Sequence, residues 1–198
     1  MSLISGSIRD ELVRAYTAPD RHYHNLAHVD VMLGLARAHG SLLSDPEAVD
    51  AAIWFHDAIY DTRRPDNEAR SAELAAERLG GLASSDRLGR IALMIRATAG
   101  HAMPEFADQG ARQDCALFLD MDLAILGSPP EEFAAYEAAV RREYAWVPEP
   151  LWIEGRRKVL ESFLARPMIY ASPQFQATHE AAARHNLIQS LAALGRAP

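Results

Sequence analysis

The chain has 198 residues, 49% of them hydrophobic and 24% charged, with 20 Lys and Arg against 27 Asp and Glu for a formal net charge of −7. That length predicts one domain, and the composition excludes disordered and collagenous chains, which are poorer in apolar residues or far richer in glycine. The acidic balance, with no run of basic residues able to track a phosphate backbone, argues against duplex nucleic acid as a partner.

Taken in chain order, apolar segments of ordinary helix length alternate with Pro, Gly, Ser and Asp clusters, and none shows sustained β-type alternation. Helices are predicted at about residues 4–16, 26–39, 46–60, 67–79, 85–98, 111–126, 129–145, 149–165 and 174–194. The fold class expected is therefore all-α, a bundle of about eight or nine helices. Asp45-Pro46 and Ser172-Pro173 read as helix starts, Ser128-Pro129-Pro130-Glu131 as a capping box, and Gly40, Gly80-Gly81 and Gly127 as stops. One domain over residues 1–198 is expected, with the Pro148 to Pro150 break setting off residues 148–198 as a C-terminal helical cap.

Cys115 is the only cysteine, so neither an intramolecular disulfide nor a thiolate zinc cluster can form. Arg9, Asp10 and Glu11 interrupt the N-terminal apolar residues before a signal-peptide core is built, and no stretch approaches the roughly 18 apolar residues of a membrane span. A cytoplasmic protein with no membrane partner is expected.

Chemistry concentrates in three segments. In Arg21-His22-Tyr23-His24-Asn25-Leu26-Ala27-His28, His24 and His28 are four apart and share a face if the helix has begun by His24. In Trp54-Phe55-His56-Asp57, an imidazole and a carboxylate interrupt an apolar helix, where a charge is costly unless it is paired or bound to a cation. In Phe118-Leu119-Asp120-Met121-Asp122-Leu123, two carboxylates two apart cannot share a face, so one can point inward while the other caps or meets solvent. Imidazole and carboxylate donors on three helices suit Zn, Mn, Fe, Co or Mg. The competing reading of each segment alone is structural: a surface histidine pair, an internal His-Asp hydrogen bond, a capping carboxylate.

The order His28, His56-Asp57, Asp122 resembles the H, HD, D signature of the HD superfamily of metal-dependent phosphohydrolases. Tyr23-His24-Asn25-Leu26-Ala27-His28 is similar to the Tyr-His-Asn-x-x-His motif of mammalian-type cyclic nucleotide phosphodiesterases, and the whole chain resembles a small bacterial branch of predicted HD phosphohydrolases. The resemblance implies an HD-domain-like bundle with one or two divalent metals held by His28, His56, Asp57 and Asp122; it favours Asp122 over Asp120. It further implies hydrolysis of a small phosphate ester or nucleotide by water activated at the metal, with His24 as general acid. Glu68, Asn67 and His101 lie where relatives place groups for a second metal or supporting contacts. Arg21 and Arg156 are candidate substrate contacts, and Tyr144, Trp146, Trp152 and Arg157 a candidate cover over the pocket. A homodimer is a further expectation; His22, His39, His179 and His185 read as surface or packing residues.

After Asp57 the chain continues Ala58-Ile59-Tyr60-Asp61, where the phosphodiesterases carry His, Pro and Gly, and it lacks the GYP motif of the cyclic dinucleotide branch. Cyclic nucleotide specificity is therefore not expected. Two alternatives share the scaffold: a mixed-valent di-iron oxygenase, and a non-enzymatic sensor that binds a nucleotide.

Overall fold

The computed structural model describes residues 3–195. Among them the chain is all-α, as expected, with nine α-helices, two short 3-10 segments and no strand. Helices α1 (Gly6–Tyr16), α2 (Leu26–Ala38), α3 (Pro46–Phe55), α4 (Asn67–Leu79), α5 (Ser85–Ala97) and α6 (Gln109–Asp122) form one compact unit that ends at Asp122. Helices α7 (Pro130–Glu143), α8 (Glu149–Leu164) and α9 (Pro173–Leu194) belong to a second unit that begins at Leu123. No described helix is long and apolar enough to cross a membrane.

Helix α3 is the axis of the first unit. Its residues Ala48, Val49, Ala51, Ala52, Ile53, Trp54 and Phe55 are all buried, and α2, α4, α5 and α6 pack against it. A helix apolar all round belongs at the centre of a bundle, and its alanines let neighbours approach closely. As expected, Asp45 caps its first turn by accepting from Ala48 N, with Pro46 at the first helical position. Arg87 on α5 forks onto the same Asp45 carboxylate, tying α5 to the start of α3. Buried Asp114 on α6 accepts from Ser44 N at 2.7 Å and Asp45 N at 2.9 Å. The start of α3 is thereby locked from two sides.

Its other end departs from the sequence reading. The predicted helix ran to residue 60, but α3 stops at Phe55. Other parts of the unit take up backbone groups of Asp57, Ala58 and Ile59: Asp57 N donates to Tyr16 Oη at 3.2 Å, Ile59 N donates to Ser71 Oγ at 3.0 Å, and the Asp57 and Ala58 carbonyls accept from Arg21. Tertiary hydrogen bonds have replaced the helical ladder. His56 and Asp57 consequently stand at the C-terminal end of a buried helix rather than along it.

Helix α6 likewise ends earlier than predicted, at Asp122, and residues Leu123–Gly127 tighten into a 3-10 segment. In the second unit this segment is held by α9 and the turn before it: Tyr170 Oη donates to Leu123 O at 3.1 Å and Asn186 Nδ2 to Leu126 O at 2.9 Å. Gly127 is required here, since a Cβ would stand 2.7 Å from His179 Cβ. The expected capping box at Ser128 does not form; α7 starts behind Pro129 with no side-chain cap, and Ser128 sits one residue too early to reach the first free N–H groups. Ser172 does cap α9, accepting from Phe175 N.

Candidate metal centre

Three helix ends bring the donors together. Helix α2 begins at Leu26 because Asn25 caps it, its Oδ1 accepting from Ala27 N at 2.9 Å and His28 N at 3.4 Å. His28 is therefore in the first turn, buried and aimed at the core. The end of α3 supplies His56, and the last residue of α6 supplies Asp122.

His28 Nε2 lies 3.2 Å from His56 Nε2 and 3.0 Å from Asp122 Oδ1, and His56 Nε2 lies 3.7 Å from that same oxygen. One ligand atom from each of the three residues falls within a single 4.8 Å cluster. Bonds of about 2.0–2.2 Å from a central cation put neighbouring ligand atoms about 3–3.5 Å apart; two of the observed edges fall in that range and the third, 3.7 Å, is slightly longer. The donor chemistry fits as well. His56 Nδ1 sits 2.8 Å from Ile53 O, which accepts its proton and turns Nε2 toward the cluster, as imidazoles that bind metals are usually oriented.

The electrostatics also ask for positive charge at this point. Burial alone disfavours the His56 imidazolium, yet the charges of Asp57 and Asp122 and the 3.1 Å contact to Asp57 Oδ2 overcome it and raise its pKa to about 9. Burial pushes the Asp57 carboxyl up, but His56 holds it well below the ordinary carboxylate range. Asp122 is held low in the same way, against its burial, by His101, His28 and His56. His28, dominated by burial, is shifted down. Two ionised carboxylates and two facing imidazole nitrogens in a buried space need a shared cation, which a proton on His56 supplies here and a divalent ion supplies better.

The other expected residues fall around this cluster in distinct ways. Asp57 borders it through His56 and is not among the three converging donors. His101 approaches Asp122 from the opposite side, Nε2 to Oδ2 at 2.8 Å, so the two oxygens of one carboxylate face different histidines. Asp120, in the last turn of α6, is buried at 1% exposure, so it does not meet solvent. His24 precedes α2, which begins at residue 26 as predicted, so the condition for a helical face shared with His28 is not met. Its ring nevertheless lies 6.2 Å from that of His28, centroid to centroid.

Asn67 locks the loop before α4, accepting from Asp61 N at 3.1 Å and donating to Asp61 O and Arg64 O. Glu68 stands beside it in the first turn of α4, partly exposed and outside the cluster. Arg21 directs its guanidinium at three carbonyls, those of His24, Asp57 and Ala58. Arg156 lies in the second unit, buried and ion-paired with Glu137. Tyr144 and Trp152 pack on each other in that unit, with Arg141 over the Trp152 ring.

Two contributors escaped sequence reasoning. Tyr16, fully buried on α1, fixes the Asp57 backbone with its hydroxyl, and no local sequence signal marks it. Tyr60 stacks on His24 with centroids 4.4 Å apart; its place four residues after His56 was the available clue. No known protein family, curated protein or solved structure matches the chain.

Proposed function

We propose that the protein is a metal-dependent hydrolase of phosphate esters, of the HD-domain kind that the sequence resembles, acting on a small phosphomonoester or nucleotide. The observation that carries this reading is the convergence of His28, His56 and Asp122 on one buried point, with the His24 ring beside it. His28, His56 and Asp122 would hold the divalent ion, and Asp57 supports it through His56. When bound, such an ion supplies Lewis-acid charge for phosphoryl oxygens and lowers the pKa of coordinated water toward neutrality.

The chain's own residues supply the rest. Ile53 O fixes the His56 tautomer, and Asn25 fixes the direction of His28. Phosphoryl transfer is governed by positioning and charge stabilisation, which a rigid centre at three helix ends favours. His24, with its imidazole one ring-width from a ligand, protonates the departing oxygen.

The test pairs elemental analysis of purified wild type and His56→Ala with phosphate release from monoester, diester and nucleotide panels under added Mn, Co, Mg or Zn. Expected is about one or more divalent ions per wild-type chain, close to none in the variant, and metal-dependent release that falls roughly a thousandfold or more with it. Metal in neither protein overturns the reading, and tight nucleotide binding without turnover replaces it with a sensor. One observation favours a second reading, the mixed-valent di-iron oxygenase: Asp122 Oδ2 faces His101, so these two residues would help hold a second ion. Iron at about two per chain with no phosphate released selects it.

A further inference from the structure

His24 belongs to no helix, so helical regularity does not set the direction of its ring. Contacts with its neighbours do so instead, among them an edge-on contact from Tyr23 with centroids 5.0 Å apart. The ring lies on Tyr60, centroids 4.4 Å apart and planes 29° from parallel. Its backbone carbonyl accepts from Arg21 Nη1 at 2.9 Å, and the same guanidinium donates to Asp57 O at 2.7 Å and to Ala58 O at 3.1 Å. The guanidinium carbon also stands 5.4 Å from the centre of the Tyr60 ring. One cation thus ties the His24 turn to the end of the helix that carries the HD pair, while Tyr60, only three residues beyond Asp57, reaches back under the imidazole.

We propose that Tyr60 is a positioning residue for His24: its ring sets the angle at which the imidazole faces the metal centre, and Arg21 fixes the backbone on both sides of that stack. The inference rests on the hydrolase reading, because an acid needs direction as well as proximity. A ring on an unhelical turn otherwise samples several rotamers, each with the wrong nitrogen or the wrong angle toward the leaving oxygen. Stacking between rings stabilises a single arrangement through the ring face and not through a ring nitrogen.

The experiment compares wild type, Tyr60→Phe and Tyr60→Leu by NMR of the His24 ring protons, metal content, and kcat and KM on the best substrate of the phosphate panel. Expected in wild type are nuclear Overhauser contacts between the His24 and Tyr60 rings and His24 signals shifted upfield by the tyrosine face. Tyr60→Phe keeps both and keeps kcat. Tyr60→Leu moves the His24 signals, leaves metal content unchanged, and lowers kcat roughly tenfold to a hundredfold with KM within about twofold. Unmoved signals in Tyr60→Leu, or a loss of kcat that Tyr60→Phe shares, overturn the proposal. Should Tyr60→Leu not fold, the wild-type contacts decide alone, and their absence is fatal to it. If wild type releases no phosphate, the hydrolase reading fails by itself, and the ring signals still decide whether Tyr60 orients His24.

Discussion

Both units of this chain bury charged and polar side chains, but they use them differently. In the second unit Arg156, Glu180 and Asn186 each meet a complementary partner. Glu180 accepts from Ile169 N at 3.1 and 3.0 Å, from Tyr170 N at 3.2 Å and from Arg184 at 2.8 Å, and Asn186 donates to two carbonyls. These are brackets between a turn and a helix. In the first unit, the buried cluster sets like beside like: two imidazole nitrogens 3.2 Å apart, and two carboxylates around them. Complementary pairing is glue; converging acceptors describe a place for a cation. Burial of a charge therefore says little about function until the sign and direction of its neighbours are known.

That contrast can be broken most severely at the cluster itself, where His56→Ala should remove both metal and turnover, as set out above. Next in size is His24→Ala, which should retain the metal and lose about a hundredfold to ten thousandfold in kcat; loss of metal instead would make His24 a ligand and erase its separate role. In the second unit, Glu180→Ala leaves two buried backbone donors and Arg184 Nε without their acceptor. It should lower unfolding stability by about 3 kcal/mol in chemical denaturation. Metal content per folded chain should stay unchanged, and a changed content would show that the bracket and the centre are not independent.

The smallest effect comes from the partly exposed Asp45–Arg87 pair, where Arg87→Ala should cost about 1 kcal/mol at neutral pH. Burial alone raises the Asp45 carboxyl, but its bond to Arg87 and the N–H of Ala48 bring it below its ordinary value. A depressed carboxyl contributes stability that is present above its unfolded pKa and lost as pH falls through the folded one. The gap between wild type and Arg87→Ala should therefore narrow as denaturation is repeated from pH 7 downward past about 4. A gap that widens in acid would reverse the assignment.

The three donor segments were legible in the sequence because a charge inside an apolar helix has few stable uses, and His28, His56 and Asp122 do converge. Where α3 ends was not legible. Ala58, Ile59 and Tyr60 continue an apolar helical pattern, and the groups that divert their backbone, Tyr16, Arg21 and Ser71, are distant in sequence. The start of α2 was readable: the prediction places it at residue 26, where the helix does begin; Asn25, a strong capping residue, explains it, and its role puts His24 outside the helix. Asp120 shows the limit of face arguments, since a helix enclosed on several sides can bury it even though Asp122, two residues on, is the one that faces the cluster. The failed capping box at Ser128 has a local cause, the second proline, which shifts the helix start by one residue.

His101 is the one residue other than glycine with positive φ, 47°, among the described residues. That backbone region favours glycine and asparagine, so folding alone does not select an imidazole there. The position is thus a point where heredity must choose: drift toward an easier backbone removes the ring that stands 2.8 Å from Asp122. A lineage keeping histidine at this turn keeps it against the local preference of the chain, and one that has exchanged it has given up the far side of the shared carboxylate.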